Sequence, residues 1–177
     1  MVALMNMATL HMHHGGAPLP IIGVVLSMHT MAMFVPGTLV GYLADRYGAA
    51  RVLVAGLLLQ LLAAAVLYVA GPHDTGLVSL GLVLLGAGWS AGFIAGSALL
   101  VAATEEPQRL QAQGAADFLL QLTAACGALA AGTVVARLGY PGLAGLAGCA
   151  LLAALCAMFS GAASGAAPGT PGRLETR

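Results

Sequence analysis

The stretch Gly41-Tyr-Leu-Ala-Asp45-Arg46-Tyr-Gly48-Ala-Ala-Arg51 decides how this chain is read. It joins two long apolar runs and concentrates charge between them. Gly41 carries no side chain, so a neighbouring helix can approach its backbone closely. Asp45 stands where an apolar run ends, and Gly48 permits a tight turn. Arg46 and Arg51 stay in water on either side of that turn.

Outward from this loop the chain is overwhelmingly apolar. Of its 177 residues, 60% are hydrophobic and 7% charged, against about 25% charged in soluble proteins. Too few polar groups exist to cover a surface in water, so the lipid bilayer is the expected solvent. A spanning helix needs about 20 mostly apolar residues. Such runs are expected at about 18–43, 52–71, 77–102, 113–136 and 142–161, after a partial helix over about 1–12. The expected fold class is all-α, a polytopic transmembrane helix bundle over residues 1–162. Residues 163–177 have Gly, Pro and polar residues without periodicity and are expected to form a disordered cytoplasmic tail.

Charge sets the orientation. If the Arg46–Arg51 loop is cytoplasmic, alternation puts Arg109, Arg173 and Arg177 on the same side and only Arg137 on the other. The C-terminus is then cytoplasmic, and His73 and Asp74 face outside. There is no Lys and no basic patch, so no nucleic-acid partner is expected. No cleavable signal peptide is visible at the N-terminus. Cys126, Cys149 and Cys156 lie inside apolar runs and are expected to be buried packing residues. Gly88, Gly92 and Gly96 form a GxxxGxxxG row suited to close helix contact. The chain has no nucleophile elbow, phosphate loop or paired carboxylates, so no catalytic residues, cofactor or enzyme activity are expected. Glu105 and Glu106 beside Pro107 read as a solvated loop.

The loop resembles the G-x-x-x-D-R-x-G-x-x-R signature of the major facilitator superfamily, departing from it at Ala49 and Ala50. The stretch GWSAGFIAGSALLVAATEEPQRLQAQGAADF is similar to the tenth helix, the loop after it and the start of the eleventh. The resemblance covers about residues 1–162. It implies half of a major facilitator fold, from the end of helix 7 through helix 12. The function it implies is secondary transport of a small solute across the cell inner membrane. A missing N-terminal half, or another membrane subunit, would be the partner. It also implies that Gly41, Asp45, Arg46, Gly48 and Arg51 form a conformational latch.

Soft ligands crowd the N-terminal 33 residues, which hold seven of the eight methionines and four of the five histidines. Met1 and Met5, and His29 and Met33, are spaced i, i+4, so each pair shares a helix face. If the two helices pair about Ala17, Met5 meets His29 and Met1 meets Met33. Those rungs would lie roughly 12 and 18 Å deep, near the bilayer midplane. Thioether and imidazole suit Cu(I). The M-x-x-x-M and H-x-x-x-M pairs resemble a copper-importing branch of the superfamily. By that resemblance Met1, Met5, His29 and Met33 would hold copper as transported substrate, with His11, His13 and His14 as an outer vestibule.

Plainer readings stand beside these. Methionine packs membrane helices, His29 can hydrogen-bond a neighbouring helix, and the loop histidines can simply be interfacial. Pro36 bends its helix either as a hinge or as a static kink. Asp117 is either a proton-coupling carboxylate or an interfacial residue near a helix start. The solute could equally be a drug or metabolite, and a membrane metal-binding or assembly protein is a further alternative.

Overall fold

The sequence resolves into helices separated by the turns its glycines and prolines dictate. A computed structural model describes residues 1–164; the expected tail lies, from residue 165 on, outside the described residues. The helices are α1 (Val2–His14), α2 (Leu19–Phe34), α3 (Gly37–Tyr47), α4 (Ala49–Val69), α5 (Thr75–Ala103) and α6 (Arg109–Ser164). A 3₁₀ turn, Glu106–Gln108, leads into α6. Among the described residues, four segments are long and apolar enough to cross a membrane: Leu19–Tyr47, Ala49–Val69, Thr75–Ala103 and Glu106–Ser160.

Local chemistry explains the breaks. Pro36 lacks the N–H that a continuous helix needs, and α2 ends and α3 begins on either side of it. Gly48 sits at φ 94°, which side-chain-bearing residues rarely adopt, and there α3 turns into α4. Gly139 does the same at φ 71° inside α6, two residues before Pro141. The 56 residues of α6 would run roughly 84 Å if straight, far more than one bilayer. The kink at Gly139 therefore makes α6 two arms.

The core is built at one end of the bundle. Leu4, Ala8 and Met12 of α1 recur one turn apart and meet Leu67 of α4, Leu82 and Leu85 of α5, and Tyr140 and Ala144 of α6. The first hairpin does not pair face to face. α1 packs chiefly on α6, whereas α2 packs chiefly on α5. The free cysteines Cys126, Cys149 and Cys156 are exposed on the chain's surface rather than buried. In lipid an apolar side chain has no reason to turn inward, so its residue type does not report its depth.

The tightest contact joins α4 to α5. A Cβ on Gly56 would stand 2.8 Å from Gly92 N and 3.0 Å from Gly88 O, and one on Gly88 would stand 2.9 Å from Gly56 O. The expected glycine row is thus used unevenly. The backbones of Gly88 and Gly92 both face Gly56, a Cβ on Gly92 itself would meet only Gln60 Nε2 at 3.5 Å, and Gly96 faces open space. Without a hydrophobic drive between helices, such backbone approach is what holds them. Gly88→Val should therefore lower stability by about 1–3 kcal/mol through overpacking. Gly96→Val should leave it unchanged; thermal unfolding of the two variants in detergent checks this.

Candidate functional site

A cavity of about 790 Å³ lies where the start of α1, the end of α2, α4, α5 and the first arm of α6 converge. Its wall includes Met1, Met33, Leu57, Gln60, Trp89, Phe93, Leu120, Gln121 and Thr123. On α4 the lining runs from Leu53 to Gln60. Counted from Ala49, that is roughly 6–17 Å into the helix from the Gly48 turn. The cavity therefore occupies the half of the bundle nearer that turn, and the core fills the other half.

Aromatic packing shapes one side. Trp89 and Phe93 are one turn apart on α5 and stack with ring centroids 5.0 Å apart and planes 10° from parallel. Phe34 meets Trp89 edge-on at 6.2 Å and 71°. Across from α5, the aliphatic stem of Gln60 lies over Gly88. The glycine contact between α4 and α5 thus sets the height of Gln60 against Trp89.

The opposite end is tied by histidines. His11 Nε2 donates to the Ala70 carbonyl at 3.3 Å, and its ring stacks on Tyr140 at 4.5 Å. His73 Nδ1 donates to the Gly15 carbonyl at 2.9 Å. Ala70 and Gly15 close the C-terminal ends of α4 and α1, where carbonyls lack helical partners. A Cβ on Gly15 would collide with the Pro72 carbonyl, so the α1–α2 turn and the α4–α5 turn meet backbone to backbone. Tyr140 also reaches across, its hydroxyl donating to the Leu4 carbonyl at 3.5 Å. His13 and His14, by contrast, are exposed. His73 and Tyr140 had no signal in the sequence beyond standing beside turn residues.

The four soft ligands separate. Met1 and Met33 share the cavity wall, while Met5 and His29 are not on it. His29 is fully buried and its Nδ1 lies 2.6 Å from the Leu82 carbonyl of α5. A carbonyl only accepts, so Nδ1 carries the proton and Nε2 is an acceptor; it is buried without a partner. The close approach needs Gly86, where a Cβ would be 2.6 Å from His29 O. Among the described residues no three His, Cys, Asp or Glu side chains cluster around a common metal position.

The charged loop is open. Among the described residues nothing lies within 4 Å of a Cβ built on Gly41, so none of their helices uses that approach. Arg46 donates to the Tyr42 hydroxyl at 3.2 Å and sits 5.8 Å over the Tyr47 ring, and Arg51 donates to the Tyr47 carbonyl at 3.2 Å. Asp45 makes no ion pair among the described residues, where the one pair is Arg109–Glu106 at 3.9 Å. Asp117 is exposed and accepts from Gln113 Nε2 at 3.2 Å; the same nitrogen reaches Ser97 Oγ at 3.3 Å. Because α6 starts at Arg109 rather than near Gln113, Asp117 lies roughly 12 Å along it, deeper than the sequence suggested.

A glycine-linked bundle with this charged turn is matched by the Major Facilitator Superfamily profile over residues 1–175. The chain belongs to the major facilitator superfamily. It is a multi-pass integral membrane protein of a transporter family, not of an enzyme family. It is 38% identical over 140 residues to the uncharacterized MFS-type transporter YddS of Bacillus subtilis, covering 79% of this chain and 32% of that protein. It is 36% identical to a second B. subtilis protein, the uncharacterized MFS-type transporter YdeG, covering 81% and 34%. The riboflavin transporter RfnT of Brucella anthropi is 33% identical over 115 residues, covering 65% and 28%. No solved structure matches. This major facilitator chain spans about a third of the length of the curated relatives it matches.

Proposed function

We propose that this chain forms part of the wall of a solute path in a secondary transporter, and that the cavity beside Trp89 is its share of the solute site. One observation carries the proposal. Five helical segments converge on a cavity in one half of the bundle, while histidines and Tyr140 tie the other end. A transporter that rocks one repeat against another needs that asymmetry, with a binding site near mid-depth and one end closed at a time.

In this reading the Gly41–Arg51 turn faces the cytoplasm of the cell inner membrane, as its arginines favour. Asp45, without an ion pair among the described residues, can meet a complementary N-terminal half, and the conformational role of Gly41, Asp45, Arg46, Gly48 and Arg51 is exerted there. Asp117 is the group we assign to proton coupling, one residue from the cavity-lining Ala116. An organic solute is favoured by the apolar and aromatic wall, and a relative named a riboflavin transporter agrees with it.

Copper uptake is the second reading. In its favour Met1 and Met33, two thioethers, share the cavity wall. Against it, Met5 and His29 stand off that wall and His29 is engaged with α5. A membrane metal-binding scaffold would hold the ion without moving it, so metal bound to protein with none in the vesicle lumen would mark that case.

Uptake of labelled riboflavin by vesicles holding the chain with its complementary half tests the path. In a background lacking Cys126, Cys149 and Cys156, thiol modification of Leu57→Cys on the cavity wall should abolish uptake. Modification of Leu58→Cys, exposed and off the wall, should not; equal loss at both would overturn the proposal. Asp117→Asn should keep exchange of solute but remove the response to an imposed pH gradient. For the copper reading, His29→Ala should weaken Cu(I) binding in detergent by at least about 10-fold, the usual cost of a lost ligand shell contact; unchanged affinity removes that reading.

A further inference from the structure

We infer that the cavity accepts a neutral, planar heteroaromatic solute, stacked on the Trp89–Phe93 pair and bonded along its edge by Gln60 and Gln121. The inference rests on the cavity being the solute site, and it narrows the chemical class of what enters.

Charge is decided by what the wall lacks. None of the side chains lining the cavity is ionisable. A charged solute would shed hydration here and find no counter-charge on a lining side chain, which is costly at membrane depth. A neutral solute avoids that cost.

Shape is decided by the rings. Trp89 and Phe93 stand nearly parallel, 5.0 Å apart, with Phe34 edge-on to the indole. Both stacked rings line the cavity, and a flat solute ring extends the stack in the offset geometry that aromatic faces prefer. The volume, about 790 Å³, lies within the roughly 300–1,000 Å³ range of small-molecule sites.

Hydrogen-bonding groups decide the edge. The Trp89 indole N–H and the amides of Gln60 and Gln121 all belong to cavity-lining residues and make no hydrogen bond among the described residues. Each amide offers an acceptor and two donors, which complements the C(=O)–N–H edge of a heteroaromatic ring. A pure hydrocarbon would use none of these groups, whereas a solute with a polar edge gains their hydrogen bonds. A polyol would find too few partners for its hydroxyls.

The chain has a single tryptophan, Trp89, so its intrinsic emission reports from this wall alone. The full chain in nanodiscs is titrated with lumichrome, a neutral tricyclic heteroaromatic with an imide edge. Empty nanodiscs carrying N-acetyltryptophanamide correct for absorption and partitioning. Saturable quenching is expected, with no saturable signal from anionic anthraquinone-2-sulfonate or from glucose. Phe93→Leu should weaken binding about 5-fold through lost stacking. Gln60→Met should weaken it about 5-fold through the lost hydrogen bond. Thermal midpoints of both variants are measured alongside, so that a fold loss is recognised, and Gln121→Met supplies an independent edge variant if Gln60→Met unfolds. Linear quenching, or saturation with the same midpoint in all variants, overturns the inference. If lumichrome fails to bind while uptake through the Leu57 wall is intact, only the solute class falls. If lumichrome binds but modification at Leu57→Cys spares uptake, the class stands and the transport path falls.

Discussion

The backbone contact between Gly56 of α4 and Gly88 of α5 is the constraint on which the bundle turns. Lipid gives two apolar helices no reason to associate beyond what contact between them supplies. Two glycines placed opposite one another let the helices meet backbone to backbone, and any side chain there would push them apart. Everything around the cavity takes its position from that meeting. α5 in turn holds α2 through His29 and Gly86, and α4 holds the second arm of α6, where Tyr68 packs over Gly145.

The two ends of the bundle are built from different materials. One end uses His11 and His73 to satisfy carbonyls at helix C-termini, groups that the helix cannot satisfy and that lipid cannot hydrate. It is knit by polar bonds between separate turns. The other end is knit by apolar contact around a space, and beyond it lies a charged turn whose aspartate makes no ion pair among the described residues. Polar bonds and packing contacts break differently, so the two ends need not loosen together.

Some of the site was legible in the sequence and some was not. Met1 and Met33 do share a wall, because residues near one end of two antiparallel helices are at similar depth. Met5 and His29 do not join them there, because depth says nothing about which face a helix turns to its neighbour. α1 turned to α6 and α2 to α5, and no local pattern separates those choices when every face is apolar. Gly41 illustrates the same limit. Its lack of a side chain permits a close approach, and whether a helix comes is a matter of the whole bundle. Asp117 was read as shallower than it is, since the turn of 3₁₀ helix at Glu106–Gln108 starts α6 earlier than its apolar run implies.

What the sequence by itself determined was the membrane solvent, the all-helical class and the family. Composition fixes the first, backbone hydrogen bonding in lipid forces the second, and the spacing of Gly41, Asp45, Arg46, Gly48 and Arg51 carries the third. Gly48 was also fixed locally, since a tight turn between two helices needs a positive φ. Only the tertiary structure decided which glycines of the row make contact, that His11 caps a neighbouring helix, and that Trp89, Phe93 and Gln60 share one cavity. The physical reason is common to all three. Helix formation is settled within a few residues, but in lipid the choice among equally apolar faces is settled by packing between segments distant in the chain.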